Sequence, residues 1–402
     1  ALPIFYLYDT TLRDGAQTQG VDFSAEDKRA IAEADVVRLV TEMRRVLREF
    51  PAETHPTFFE VVVVMALRYF AEQKCDLIIW ETGLGGRLDA TNIVTPLASV
   101  ITNIQFDHER WLGRTLASIA SEKAGIIKPG VPVITGATEP EALAVIQDVA
   151  RRNQSPLMLI TPEQTQHSPL AGLELPLLGW HQRLNAAAAL AAVRTVQSEL
   201  PVTEQQIRDG LARVNWPGRM QLVKLTGAPP SPAALDIRTR KAGEDAGAPH
   251  GRDARATTTR RVLLDGAHNP GGAATLRSAL TEHFPGERPA FILGVLEDKD
   301  WHLICEILAP MAARMVVVRV ASERTLDESM LAAACRKANP TVPVQTCGSL
   351  AEALAAVAAE PFVVIAGSLY LVGEAMEQLR LLEVPPADEK GLNEWSTPGQ
   401  RR

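Results

Sequence analysis

The densest run of chemically capable residues is ETGLGGRLDATN, Glu81 to Asn92. Glu81 offers a hard oxygen of the kind divalent cations prefer. Arg87 and Asp89 add polar reach. Gly83, Gly85 and Gly86 let a backbone come close to a ligand. The same residues fit a tight strand-to-helix turn with no ligand, because a lone glycine-rich loop is weak evidence. A second candidate is Gln105-Phe106-Asp107-His108. His108 could ligate a metal, or it could be a surface or packing histidine. The third is SEKAGII, Ser121 to Ile127, followed by Lys128-Pro129-Gly130. A lysine next to an acidic residue on a helix is ordinarily a solvated ion-pair member.

These residues need elements to hold them. The apolar run DLIIW, Asp76 to Trp80, leads straight into the glycine-rich loop, and the run Ser99 to Ile104 leads into the Asp107-His108 pair. In open α/β sheets, ligands bind beyond the carboxyl ends of the strands. Val131–Thr135 and Leu157–Ile160 are further strand candidates, while Asp35–Phe50 and Pro56–Phe70 show helical spacing of apolar residues. Short apolar runs separated by helices predict a parallel sheet covered on both faces. After residue 260 the alternation resumes, with strands expected at Val262–Leu264, Phe291–Val295, Met315–Val320, Val342–Gln345 and Phe362–Ala366. That pattern predicts a second, smaller doubly wound domain.

The expected domain plan is an N-terminal fragment over 1–33, a central domain over 34–225, a linker or disordered insertion over 226–260, a C-terminal domain over 261–384 and a polar tail over 385–402. The 226–260 stretch is rich in Pro, Gly, Ala and charge, and holds too few large apolar residues to offset its ordering entropy. At the start, Ile4–Tyr8 reads as a short strand, and Ser24 with Asp27 as a helix cap.

The chain has 402 residues, 46% hydrophobic and 22% charged, with a net charge of -7. The acidic balance argues against a nucleic-acid or anionic-membrane partner. No apolar stretch approaches the roughly 20 residues of a spanning helix. The N-terminus lacks the basic and apolar regions of a signal peptide. The four cysteines, Cys75, Cys305, Cys335 and Cys347, form no CxxC pair and read as reduced core thiols. A cytoplasmic protein is expected.

Taken together, these motifs resemble folylpolyglutamate synthase and the bifunctional dihydrofolate synthase of the Mur ligase family. The resemblance rests on Thr57-Phe58-Phe59-Glu60, ETGLGGRLDATN, Asp107-His108, EKAGIIKPG, His181-Gln182-Arg183-Leu184-Asn185-Ala186-Ala187, Trp216-Pro217-Gly218-Arg219-Met220 and Leu264-Asp265-Gly266-Ala267-His268-Asn269-Pro270, in that order. It runs from about residue 34 to about residue 380. It implies an α/β fold with a Mur-ligase-type central parallel-sheet domain, N-terminally truncated, and a smaller Rossmann-like C-terminal domain. It implies a likeness in activity too: ATP-dependent joining of glutamate to a folate or dihydropteroate carboxylate, with closure between two domains excluding water. By the same resemblance Glu81 and His108 would hold Mg2+, and Lys123 would be a carbamylated lysine helping to hold a second ion. Asn185, Arg219 and Asp265 would contact ATP, with Lys123, Arg219 and His268 in the catalytic set. Asn269 reads instead as a polar turn closed by Pro270. A monomer is expected, as in similar proteins.

Two departures qualify the resemblance. No Gly-Lys-Ser or Gly-Lys-Thr occurs in the sequence, so the phosphate-binding loop of the G-x-x-x-x-G-K-[S/T] type is missing. In addition, Tyr8-Asp9-Thr10-Thr11-Leu12-Arg13-Asp14-Gly15-Ala16-Gln17 resembles the opening of citramalate, isopropylmalate and homocitrate synthases. There, residues matching Arg13 and Asp14 assist condensation and bind a metal. A TIM barrel needs about 250 residues, so the fragment cannot build one. The simple alternative is that residues 4–8 add an edge strand to the ligase sheet. These departures leave an inactive remnant or binding protein, and a synthase-type acyltransferase, as alternatives to an impaired ligase.

Overall fold

The computed structural model describes residues 4–8, 33–226 and 259–381. Asp9, Arg13, Asp14, the Ser24 cap and most of the 226–260 stretch lie outside these residues. The chain divides into two compact units at Asn215 and Trp216.

In the first unit the elements run β1 (Ile4–Tyr8), α1 (Glu33–Leu47), α2 (Phe58–Gln73), β2 (Ile78–Glu81), β3 (Ala98–Ile101), α3 (Glu109–Leu112), α4 (Leu116–Ala124), β4 (Val133–Thr135), α5 (Pro140–Arg152), β5 (Leu157–Leu159), α6 (Trp180–Thr195) and α7 (Glu204–Ala212). The sheet order is β2-β1-β3-β4-β5 and every pairing is parallel. Strand β1 is therefore not an edge strand. Leu7 pairs with Glu81 on one side, and Tyr8 with Ile101 on the other. An order of 2-1-3-4-5 places the topological switch point between β1 and β3.

Side-chain alternation builds two cores from one sheet. Ile78, Trp80, Ile101 and Val133 face one way and pack with Val63 of α2, Ile119 and Ala120 of α4 and Ile146 of α5. Ala98, Val100 and Ile134 face the other way, against Ala186, Ala187, Leu190 and Ala191 of α6. Helix α2 starts at a capping box. Thr57 Oγ1 accepts from the Glu60 N–H at 3.2 Å, and Glu60 Oε2 accepts from the Thr57 N–H at 2.7 Å. Only some of the apolar residues of helix α1 are covered. Leu39 and Met43 are buried, whereas Val36, Val37, Val40 and Val46 are exposed.

The second unit runs β6 (Gln221–Thr226), β7 (Thr259–Leu264), α8 (Pro270–His283), β8 (Ala290–Leu293), α9 (Trp301–Leu308), β9 (Arg314–Val318), α10 (Glu328–Ala338), β10 (Val344–Cys347), α11 (Leu350–Ala356), β11 (Phe362–Ala366) and α12 (Leu369–Gln378). Its sheet order is β10-β9-β8-β11-β7-β6. All pairings are parallel except β6 with β7, whose antiparallel register closes with Thr226 opposite Thr259. Val262, Leu264, Val363 and Ile365 pack with Leu350 of α11 and Leu371 of α12. No described helix is long and apolar enough to cross a membrane.

The interior place of β1 is testable. Tyr6 pairs with Trp80 on one side and Ser99 on the other. Tyr6→Pro removes a ladder donor, and the stranded partner costs about 1–3 kcal/mol. Urea denaturation should show that loss. An unchanged midpoint would contradict the interior pairing.

Candidate functional site

The glycine-rich loop begins where β2 ends, at Glu81. Its geometry is set by close approach to the end of α4. At Gly86, with φ +152, an added Cβ would lie 2.8 Å from the Glu122 carbonyl oxygen and 3.1 Å from that of Lys123. At Gly125 it would lie 2.3 Å from Arg87 Cβ. The Arg87 N–H donates to the Glu122 carbonyl at 2.8 Å. Asn92 Nδ2 donates to the Arg87 carbonyl at 3.1 Å and the Gly125 carbonyl at 3.0 Å. Lys128 Nζ donates to the Asn92 carbonyl at 2.9 Å. Loop and helix end thus form one clasped body.

Two residues that looked like ligand contacts serve this clasp. Arg87 Nη2 pairs with Glu122 Oε1 at 2.9 Å. Asp89 accepts from the Leu84 N–H at 2.6 Å, the Thr91 N–H at 2.9 Å and Thr91 Oγ1 at 2.6 Å. The partner of Arg87 was not apparent from local sequence, because Glu122 comes 35 residues later. Asn92 and Lys128 also emerge only from the fold.

Lys123 sits in the last turn of α4 and is 1% exposed. Burial pushes its ammonium pKa well below the ordinary lysine value. The amine is therefore disposed to be neutral, and so nucleophilic. His108 follows β3 and caps α3 with a left-handed backbone, φ 51. Its N–H donates to Asp107 Oδ1 at 2.8 Å, and its Nε2 stands 3.4 Å from the same oxygen. Asn185 lies on α6, half-buried, and donates to Gln182 Oε1 at 3.2 Å. Among the described residues no three His, Cys, Asp or Glu side chains cluster as a metal site.

The second unit gathers Arg219, Asp265 and His268. Asp265 follows β7. Its carboxylate accepts from the Met220 N–H at 2.9 Å and the Ala267 N–H at 3.0 Å. Burial raises its pKa, against the opposing pull of Arg219 and the two N–H donors. The Gly266 N–H donates to the Gly218 carbonyl at 3.0 Å, and a Cβ on Gly266 would come within 2.8 Å of Arg219 Nη1. His268 is buried, with Nδ1 at 2.8 Å from the Gly266 carbonyl. A proton on Nδ1 makes this a hydrogen bond and leaves Nε2 as the acceptor nitrogen. Asn269 caps α8, accepting from the Gly272 N–H at 2.7 Å, with Pro270 in the first turn. The candidate residues thus divide between the units: Glu81, His108, Lys123 and Asn185 lie in the first, and Arg219, Asp265 and His268 in the second.

The clasp predicts a sharp sensitivity. Gly125→Ala forces Arg87 away from α4 and should cost about 1–3 kcal/mol of unfolding free energy. Chemical denaturation of the variant measures it, and a wild-type midpoint would refute the close approach.

The Mur ligase, glutamate ligase domain matches residues 252–369. The folylpolyglutamate synthase of Lacticaseibacillus casei is 30% identical over 380 residues, covering 88% of this chain and 79% of that protein. The dihydrofolate synthase/folylpolyglutamate synthase of Bacillus subtilis is 35% identical over 277 residues, 64% of this chain, and the chain spans only 57% of that relative's length. Among solved structures, Mycobacterium tuberculosis folylpolyglutamate synthase complexed with ADP and AMPPCP superposes with a TM-score of 0.74 at 25% identity, covering 96% of this chain and 92% of that one. E. coli FolC in complex with DHPP and ADP gives 0.72 at 26%, covering 94% and 89%. The chain belongs to the folylpolyglutamate synthase and dihydrofolate synthase family.

Proposed function

We propose that the chain is an ATP-dependent amide ligase that joins glutamate to the carboxylate of a folate or dihydropteroate. The observation that carries this reading is Lys123, buried at the end of α4 and clasped to the loop that starts at Glu81. A lysine held neutral can attack CO2 through its lone pair. Loss of one proton then leaves a carbamate, an oxygen-rich anion in place of a neutral amine. That donor set suits Mg2+, which takes one or two protein oxygens and fills its shell from phosphates and water. Glu81 and His108 would hold one such ion, and carbamylated Lys123 would help hold a second. When bound, the ion neutralises phosphate charge.

In the proposed reaction a carboxylate oxygen of the acceptor attacks the γ-phosphorus of ATP, and ADP leaves. The acyl phosphate so formed is attacked at its carbonyl carbon by the neutral amino group of glutamate. The tetrahedral intermediate collapses to the amide, releasing phosphate and a proton. Arg219 supplies fixed positive charge beside Asp265, and preorganised charge of this kind stabilises anions as they develop. Asp265, Arg219 and Asn185 are proposed to contact ATP. His268, with Nε2 as an acceptor nitrogen, is suited to taking the amine proton. The solved relatives that hold ADP support the nucleotide.

A second reading is favoured by one sequence fact, the absence of any Gly-Lys-Ser or Gly-Lys-Thr. The chain would then bind ligands without turnover. Titration calorimetry with Mg2+·ATP separates the cases. Micromolar binding that is lost in Asp265→Ala, together with glutamate-dependent phosphate release, supports the ligase. Binding without phosphate release supports the second reading.

Two further outcomes follow from Lys123. Turnover should fall in CO2-depleted buffer and recover on adding bicarbonate; a rate indifferent to CO2 would remove the carbamate. Lys123→Met should abolish phosphate release yet raise the thermal midpoint at pH 7. The sign follows from linkage: with a lowered folded pKa, the unfolded chain takes up the proton more readily, so stability rises with pH toward the unfolded value near 10.4. The advantage of Lys123→Met should therefore shrink as pH rises.

A further inference from the structure

Helix α4 starts and ends by different means. Its start is capped locally: Thr115 Oγ1 accepts from the Ser118 N–H at 3.1 Å, and Ser118 Oγ from the Thr115 N–H at 3.2 Å. Its end is held by donors from elsewhere in the chain. The carbonyls of a last turn have no partner within their own helix. Here the Arg87 N–H donates to the Glu122 carbonyl, Asn92 Nδ2 to the Gly125 carbonyl at 3.0 Å, and Ser99 Oγ to the Ile126 carbonyl at 3.0 Å. The first two donors belong to the glycine-rich loop and the third to β3. Lys123 lies between these carbonyls, on the turn that they hold.

Ser99 is the anchor with no part in the loop-to-helix clasp. It is fully buried in the row of Ile101, facing the core of Ile78, Trp80 and Val133. An aliphatic side chain would bury more apolar surface there, whereas the serine hydroxyl reaches a carbonyl. Its own position is rigid. Strand β3 lies between β1 and β4, Ser99 pairs with Val133, and the Ser99 N–H donates to the Pro132 carbonyl at 2.9 Å. Ile126 is fully buried too, and a Cβ on Gly86 would lie 2.9 Å from its Cγ2. The Arg87 and Asn92 bonds set the helix end against the loop. The Ser99 bond sets it against the sheet. Because His108 follows β3, Ser99 ties the turn that carries Lys123 to the strand that leads to His108.

We propose that Ser99 is a positioning residue for the ligase reaction: through the Ile126 carbonyl it holds Lys123 where its carbamate forms. This rests on the ligase reading and on the carbamate within it. Ser99 acts through the backbone and touches no substrate. In the step it supports, the Lys123 nitrogen forms one bond to the carbon of CO2 and one proton passes to solvent. The addition is reversible, so the CO2 level that half-fills the carbamate reports how well the site fits it.

The test uses the full chain with Mg2+ and isotopically labelled bicarbonate, and follows the carbamate carbon by NMR as CO2 is varied. Ser99→Ala removes the hydroxyl and Ser99→Thr keeps it. Ile146→Val trims a buried residue of the same core that makes none of these bonds. The expected half-saturating CO2 level rises about tenfold in Ser99→Ala and returns toward wild type in Ser99→Thr. Ile146→Val should lower the thermal midpoint and leave that level unchanged. Equal CO2 dependence in Ser99→Ala and wild type would overturn the proposal, because the hydroxyl would then serve stability alone. A matching rise in Ile146→Val would also overturn it, by making the effect one of general loosening. A wild-type chain with no carbamate carbon at any CO2 level removes the carbamate and this inference with it. Glutamate-dependent phosphate release, measured alongside, shows whether the ligase reading outlives that loss.

Discussion

The close approach of the glycine-rich loop to the end of α4 is the constraint on which the first unit's chemistry depends. Gly86 and Gly125 remove the two side-chain stubs that would hold the segments apart. Into that gap go the Arg87–Glu122 backbone bond and the two amide bonds of Asn92. Each bond is worth only about 0.5–1.5 kcal/mol net. Together they fix the loop that follows Glu81 against the helix end that carries Lys123. Preorganisation of this kind is what lets a few charged groups act on a substrate without moving first. The burial of Lys123 follows from the same packing, since Ile119, Ala120 and Ala124 drive its helix into the core.

The second unit solves a similar problem differently. Asp265 is held by backbone N–H groups from two separated segments, around Met220 and Ala267. A half-buried carboxylate with such donors and a neighbouring guanidinium is kept in place by the fold, and its orientation does not depend on a flexible side-chain partner. Gly266 is the enabling residue, because any larger side chain would meet Arg219 and Leu369.

Much of this could be read in the sequence, and the limits have physical causes. Strand ends were legible because apolar runs give way abruptly to Gly and polar residues, as after Trp80 and Leu264. Asn269 was read as a polar turn closed by Pro270, and the fold makes it the cap of α8. Arg87 and Asp89 were read as reaching toward a ligand, since nothing nearby shows that Glu122 and the loop's own N–H groups claim them. Strand β6 sits in the second unit because its pairing partner, β7, lies beyond an intervening segment, and short-range patterns do not report such pairings. Strand β1 looked like an addition to a sheet edge, yet register alone places it inside. The Ser99 hydroxyl carries no sequence signal at all, because a serine in a strand is ordinary until its partner is known.

The antiparallel closure of β6 on β7 has a consequence for how the protein tolerates change. Thr226 faces Thr259, so the chain leaves and re-enters the sheet at adjacent points. Those points lie at the opposite end of β7 from Asp265. Ends pinned together make the length between them nearly free, since doubling a loop costs only about 0.6 kcal/mol. The Asp265 end of the strand is thereby insulated from changes in the length of the segment between them. The same hairpin offers a port where a fluorescent domain or an affinity handle could be spliced in without disturbing the chemistry at the other end.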